Sequence, residues 1–237
     1  MKKVLFIILV SILAISSNDL MAQGIQAGVK GSLNSTWLLN KHVSDASSDF
    51  QNYLPSFGES YGLSGAIFFT KKLGVEMNFL MATHTQKYTN EDEDYESETY
   101  LRKLDFPILL KLKSKTGAYV ELGVQYSTFT SAEYKISFND SIQLGPIDVR
   151  DATSKSSLDA MFGIGVDIPL FAGFDFTAAL RFTGSLTDVK GVDAFGNDLS
   201  NDITLLLGYN GEYEETRSLA GGFLVGITYS IGRIAGE

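Results

Sequence analysis

Three observations predict that this chain of 237 residues has an all-β fold, an eight-stranded antiparallel up-and-down transmembrane β-barrel preceded by a cleaved signal peptide. Apolar and polar residues alternate with a period of two in eight segments, which is typical of strands with one apolar face. Short and long connections alternate between these segments, as they do in barrels that cross a membrane. An export-type leader precedes the first segment.

The leader has the three parts of a secretory signal peptide. Lys2 and Lys3 form a positive n-region, residues 4–15 are apolar, and Ala22 stands at the expected cleavage point. The apolar run is shorter than the roughly 20 residues that an α-helix needs to cross a bilayer, although an uncleaved anchor is the alternative. We therefore predict a signal peptide at residues 1–22 and one barrel domain at residues 23–237.

Composition and charge exclude several classes of protein. The net charge of −9 argues against a nucleic-acid partner, because such a partner requires a basic surface. The chain has no cysteine, so a disulfide framework, a thiolate metal site and a cysteine nucleophile are excluded. The mean hydropathy of +0.06 and the 23 glycines suit a barrel, whose strands expose only every second side chain to lipid.

The first four predicted strands cover residues 25–37, 61–70, 73–86 and 100–113. Residues 71–74 form a tight turn between the second and third strands. Pro107 has no N–H group to donate to a neighbouring strand, so we expect a bulge or a locally broken pairing there. Residues 90–98 form a nearly unbroken acidic run, which predicts a loop in water.

The last four predicted strands cover residues 118–126, 158–170, 174–186 and 219–231. Short turns are predicted at 114–117 and 169–173. Long polar stretches are predicted at 40–60, 132–157 and 187–217. With three short connections and four long ones, the short turns and both termini are expected in the periplasm and the long loops outside the cell.

Closure of the sheet follows from the cost of unpaired backbone groups in hydrocarbon. Eight strands leave an interior that side chains fill, so we predict no water-filled pore. The inward polar positions predict a structural network in the lumen that includes Glu76, Asp105, Lys111, Glu121, Asp167, Asp175 and Arg181. Because an unpaired buried charge is costly, Arg181 is predicted to pair with one or more of Glu76, Glu121 and Asp175.

Three stretches of the sequence resemble a known family. Residues 28–34 (GVKGSLN), 104–111 (LDFPILLK) and 119–125 (YVELGVQ) are similar to the PorT-like outer-membrane β-barrel proteins of Bacteroidota. The resemblance implies an eight-stranded barrel in the outer membrane. The founding member of the family has a role in type IX secretion or surface-protein maturation. The function of most other members is unassigned, so the resemblance does not transfer that role to this chain.

The sequence offers few candidate catalytic residues. A lipid acyltransferase or phospholipase requires a histidine near a serine and an orienting acid, and the chain has only His42 and His84. His42 has Asp45, Ser47 and Ser48 close in sequence, but solvated loops contain the same residue types. We predict no catalytic residue, and we interpret His84 as a hydrogen-bonding residue of the lumen.

Two other motifs are also interpreted as structural and not as ligand sites. The acidic run at 90–98 could hold calcium or bridge cations to lipopolysaccharide, but it lacks the glycine and the spacing of an EF-hand. Residues 163–165 (GIG) lie within a strand that no helix follows, so they are not a nucleotide-binding loop. No cofactor and no metal site is therefore predicted.

Three functions are compatible with these patterns. The leading hypothesis is a non-enzymatic envelope protein, binding, structural or secretion-associated, with long extracellular loops. Its expected partners are outer-membrane lipid or lipopolysaccharide and other envelope proteins. The alternatives are a lipid-modifying barrel enzyme, which would depend on His42, and a soluble exported lipocalin-like carrier. A carrier would place the apolar faces of its strands inward, so the direction of the apolar faces separates it from a membrane barrel.

Overall fold

A computed structural model describes residues 24–45, 52–90, 95–138, 142–190 and 214–232. The predicted signal peptide lies outside these residues. The described strands are β1 (Gly24–Asn40), β2 (Asn52–Leu54), β3 (Phe57–Phe68), β4 (Leu73–Asn90), β5 (Tyr95–Lys113), β6 (Ala118–Phe138), β7 (Ile142–Asp148), β8 (Ser156–Pro169), β9 (Phe174–Ser185) and β10 (Thr216–Gly232). A short helix, α1 (Lys41–Asp45), follows β1, and a 3-10 turn covers Arg150–Ala152. Within the described ranges, no helix has the length and apolar character needed to span a bilayer.

Eight of the strands close into a ring. Their order is β1, β3, β4, β5, β6, β8, β9 and β10, each antiparallel to its neighbours. The last strand pairs with the first over its whole length, from Gly24 opposite Gly232 to Asn40 opposite Thr216. The predicted eight-stranded antiparallel barrel is confirmed, and its closure removes the free edges that hydrocarbon does not tolerate.

The side chains alternate across the barrel wall as the sequence predicts. On β5, Leu110 is 52% exposed whereas Lys111 is fully buried. The outward apolar side chains form a continuous apolar belt that comprises Ile25, Val29, Leu33, Leu63, Ile67, Met77, Met81, Ile108, Leu110, Leu122, Val124, Phe162, Ile164, Leu180, Phe182, Val225 and Ile227. The lipocalin-like alternative is wrong, because it requires apolar faces that point inward.

Three short turns connect strands at one end, which we call the short-turn end. They cover residues 69–72, 114–117 and 170–173. Gly117 and Gly173 have φ values of +86° and +83°, a left-handed conformation that glycine adopts at little cost. The opposite, long-loop end carries the connections that the sequence predicts to be long.

Pairing is locally broken at Pro107, as predicted. The β4–β5 ladder contains the pairs Met77–Ile108 and Leu80–Asp105 and no pair between them. The register is the same on both sides of this gap, so the interruption adds no residue.

Three predicted polar connections are wrong in part. The stretch at 40–60 contains α1, β2 and the start of β3. Residues 95–98 of the acidic run belong to β5, and much of 132–157 belongs to β6, β7 and β8. A bulge in β6 explains the error at 132–157. Arg102 lies opposite Ser131 and Lys103 opposite Phe129, so Thr130 is an extra residue. It reverses the alternation beyond it and turns Tyr134 inward.

The interior has two parts. Within the belt it is polar and charged. At the long-loop end it is apolar, and we call this cluster the outer core, formed by Leu38, Leu101, Phe129, Ala132, Tyr134, Ile136, Val149 and Val189. The period-two pattern predicts no core at this end of the barrel, because it indicates a polar connection at residues 132–157.

Candidate functional sites in the lumen and at the long-loop end

The centre of the lumen is occupied by Glu76, which reaches inward from β4. Three cations surround its carboxylate: Lys30 forms an ion pair with it, and Lys111 and Arg181 each lie 3.4 Å from one of its oxygens. All four side chains are almost fully buried. Charge-assisted contacts of this kind offset the cost of removing each charge from water.

Arg181 connects Glu76 to the opposite wall. Its Nε donates a hydrogen bond of 2.7 Å to Glu121, and its Nη2 lies 3.4 Å from Glu76. Two of the three carboxylates predicted for Arg181 are therefore in contact with it. Asp175 is not. Its carboxylate instead accepts hydrogen bonds from Ser230 at 2.8 Å and Gln26 at 3.4 Å.

Towards the short-turn end, Asp167 forms ion pairs with two lysines. Lys111 and Lys113 both lie 3.2 Å from its Oδ2, and Thr177 donates a hydrogen bond of 2.7 Å to its Oδ1. The ammonium of Lys111 also lies 3.8 Å from the centre of the Tyr119 ring, which is a cation–π contact. This group continues the Glu76 cluster without an apolar break.

Towards the long-loop end, two smaller groups fill the lumen. Lys103 pairs with Asp105 at 3.2 Å. Asp159 accepts hydrogen bonds of 3.1 Å from both Gln125 and Ser127. A cavity of about 40 Å³ lies beside them, enough space for a few water molecules.

The lumen is close to neutral. Of the buried side chains that the structure describes, the cations are Lys30, Lys103, Lys111, Lys113 and Arg181, and the carboxylates are Glu76, Asp105, Glu121, Asp159, Asp167 and Asp175. The predicted set omitted four of these residues: Lys30, Lys103, Lys113 and Asp159. Each stands at an inward position of its strand, so strict application of the alternation would have included it.

The structure describes the side chain of one of the two histidines. His84 is 1% exposed; its Nε2 lies 3.2 Å from the carbonyl oxygen of Trp37, and its Nδ1 lies 3.5 Å from the hydroxyl of Ser218. These are contacts of a lumen hydrogen-bonding residue. The side chain of His42 lies outside the described residues. Within the described part of the chain, no three acidic or histidine side chains are grouped to hold a metal ion.

Gly163 has a packing role in the lumen. A Cβ atom at this position would lie 2.5 Å from Oε1 of Glu121, the oxygen that accepts the bond from Arg181. The glycine therefore leaves the space that this carboxylate occupies. This contact gives a structural reason for the first glycine of the GIG sequence at 163–165.

At the long-loop end the barrel continues past the apolar belt as an outer wall. We define the outer wall as β2, β7 and the parts of β4, β5 and β6 at residues 83–90, 95–103 and 127–138. β2 pairs with β4, and β7 pairs with β6, so the wall is a five-stranded sheet. Its inner face covers the outer core. The charged side chains of its outer face include Lys87, Glu98 and Lys135, with Glu98 opposite both lysines.

The sequence matches one family profile. The profile, described as outer membrane protein beta-barrel domain, matches residues 19–191. No curated protein sequence matches at a significant level.

Several solved bacterial proteins are similar to this chain. OprG from Pseudomonas aeruginosa is 17% identical, with 88% of this chain and 95% of that chain covered and a TM-score of 0.49. Neisserial surface protein A is 12% identical, with 86% and 96% covered and a TM-score of 0.41. Ail of Yersinia pestis, solved with the heparin analogue sucrose octasulfate, is 8% identical, with 87% and 99% covered and a TM-score of 0.39. Because the family profile spans well over half of the sequence and the described fold is a closed barrel, the chain belongs to the outer membrane protein beta-barrel domain family and is a protein of the outer membrane.

Proposed function

We propose that this protein is a non-enzymatic outer-membrane barrel that binds another envelope protein or a surface ligand through its long-loop end. The observation that carries the proposal is the outer wall with its own apolar core. Leu38, Ala132 and Tyr134 are fully buried beneath the wall. A rigid support of this kind is what positions variable loops for binding.

The contacts between charged side chains in the lumen support a structural role for this network. Glu76 and Asp167 each contact two or more cations, and the contact between Arg181 on β9 and Glu76 on β4 joins opposite sides of the barrel. Paired charges that fill an eight-stranded interior leave little space for a solute. We therefore propose that the network holds the barrel in shape and that function resides at the long-loop end.

A lipid-modifying enzyme is the second candidate. His84 is enclosed in the lumen and its ring nitrogens face a backbone carbonyl and a hydroxyl, so it is poorly placed to act on lipid. His42 is the remaining candidate. Purified protein in mixed micelles should show no release or transfer of acyl chains. An activity that His42→Ala abolishes would establish the enzyme hypothesis instead.

We also propose that the chain is a PorT-like member of its family and that residues 1–22 are removed on export. The three stretches that carry the resemblance lie on β1, β5 and β6, and β5 and β6 are neighbours in the barrel. The mass of the protein purified from the envelope tests the cleavage, because it should match residues 23–237. Secretion-associated function would appear as accumulation of exported proteins in the periplasm when the protein is depleted.

The proposed orientation places the long-loop end outside the cell. The chain contains no cysteine, so single cysteine substitutions can be labelled without background. Glu98→Cys on the outer wall should react with an impermeant maleimide on intact cells. Lys115→Cys in a short turn should react only after the outer membrane is permeabilised. The reverse pattern would show that the barrel is inserted the other way.

Partner binding can be tested in living cells by site-specific photo-crosslinking. A photoreactive residue at Lys135, on the exposed face of the outer wall, should yield a discrete protein or surface-glycan adduct. The same residue at Leu110, in the apolar belt, is the matched control and should yield lipid adducts. Absence of a discrete adduct from several outer-wall positions would contradict a binding role.

A further inference from the structure

The exposed charges of the short turns are of one sign. Lys71, Lys72 and Lys115 are exposed, and residues 69–72, 114–117 and 170–173 contain no acidic residue. The carboxylates near this end, Asp167 and Asp175, are buried in the lumen. This basic group, which we call the lysine rim, is unexpected in a chain whose net charge is −9.

The lysine rim is formed by two turns that are bonded to each other. The backbone N–H of Lys113 donates a hydrogen bond of 2.7 Å to the carbonyl oxygen of Lys72. Within the first turn, Thr70 Oγ1 accepts bonds from the backbone of Lys72 and Leu73, and within the second Ser114 contacts Thr116 at 2.8 Å. The backbone that carries the three lysines is therefore ordered before any ligand binds.

Among the residues that the structure describes, the three ammonium groups have no ion-pair partner. No ion pair involves Lys71, Lys72 or Lys115 in the part of the chain that the structure describes. Lys113, by contrast, points into the lumen and pairs with Asp167. The rim lysines are thus available to an external anion.

The position of the lysine rim beside the apolar belt indicates which kind of anion it can bind. Lys72 and Lys115 lie within a few residues of Leu73 and Leu112, which face outward among the apolar side chains. The turn across the barrel is apolar at its tip, where Phe171 is exposed. Lysines at the edge of an apolar belt extend their ammonium groups to the height of lipid headgroups.

We propose that the lysine rim binds the phosphate of an anionic glycerophospholipid, such as phosphatidylglycerol, in the leaflet on the short-turn side. Assignment of that leaflet as the periplasmic one rests on the proposed orientation, whereas the binding itself does not. A lysine close to an anionic membrane surface contributes about a fivefold change in binding. The lipid's acyl chains would lie against the adjoining part of the belt.

Native mass spectrometry of the full chain in neutral detergent tests the proposal. With equal amounts of phosphatidylglycerol and phosphatidylcholine, the wild-type protein should retain the anionic lipid with at least about a fivefold preference, the contribution of one lysine. Lys71→Gln/Lys72→Gln/Lys115→Gln should reduce the preference to near parity. High salt should have the same effect on the wild type, because exposed charges are screened.

The matched control replaces three exposed lysines at the other end, Lys87→Gln/Lys135→Gln/Lys155→Gln. It changes the net charge equally and should keep the preference. Retention of the preference by the rim variant, or its loss in the control, would overturn the proposal. Displacement of the lipid by excess inorganic phosphate at constant ionic strength would also overturn it, because the site would then recognise phosphate alone. The heat-dependent gel mobility of both variants verifies that they are folded.

Discussion

Arg181 provides the sharpest test of the charged lumen. In Arg181→Ala, Glu121 loses the guanidinium that bonds to it at 2.7 Å. Glu76 loses a contact of 3.4 Å but keeps Lys30 and Lys111. The substitution therefore leaves one carboxylate, Glu121, buried without its cation.

The expected loss follows from that unpaired carboxylate. Removing one partner of a buried pair costs about 3–5 kcal/mol, because the remaining charge stays out of water. For a chain of this size such a loss corresponds to a fall of roughly 6–20 °C in the unfolding midpoint. Arg217 is the matched control. It is 38% exposed and its partner Glu215 is 57% exposed, so Arg217→Ala should cost less than about 1 kcal/mol.

Heat unfolding in detergent, followed by circular dichroism and gel mobility, measures these differences. Removal of both charges in Arg181→Met/Glu121→Leu should recover most of the lost stability, because no buried charge then lacks a partner. An unchanged midpoint for Arg181→Ala, or one equal to that of Arg217→Ala, would refute the argument that this pair stabilises the barrel.

Three further predictions concern packing, the lipid face and the outer core. Gly62→Ala should lower the unfolding midpoint because a Cβ atom there would lie 2.0 Å from the Phe79 carbonyl oxygen, whereas Gly65→Ala, with nothing within 4 Å, should leave it nearly unchanged. Equal midpoints would contradict the close approach of β3 and β4. Ile108→Arg should weaken folding into lipid vesicles by about 2–4 kcal/mol because it places a charge deep in the apolar belt, and normal folding would show that this face does not contact lipid. Tyr134→Ala should remove about 3–5 kcal/mol of packing from the outer core. Limited proteolysis should then cut the outer wall while the heat-dependent gel shift of the barrel persists, and an equally protected wall would contradict the outer core.

The bulge at Thr130 explains the main error of the sequence-based prediction. Alternation identifies a strand only while its period is constant, and the extra residue reverses the period within β6. Ala132, Tyr134 and Ile136 therefore occupy inward positions that the pattern assigned to a polar connection. A bulge is stabilised by the register with neighbouring strands, so it has no strong local signal.

The pairing of lumen charges also lies beyond a local pattern. The sequence predicts that Glu76 and Arg181 point inward, because inward direction depends only on the alternation of each strand. It does not predict that Lys30 lies against Glu76, since that contact depends on the register between β1, β3 and β4.

The amino-acid sequence alone therefore determined the fold class, the number of strands that close the barrel and the direction of nearly every side chain within the belt. Each of these is set by the period-two alternation and the connection lengths, which are local properties. The tertiary structure alone decided which charges meet and where the apolar outer core lies. The sequence names three candidate carboxylates for Arg181, and only closure of the sheet in its particular register brings Glu76, which is 105 residues away, and Glu121 into contact with it while leaving Asp175 apart.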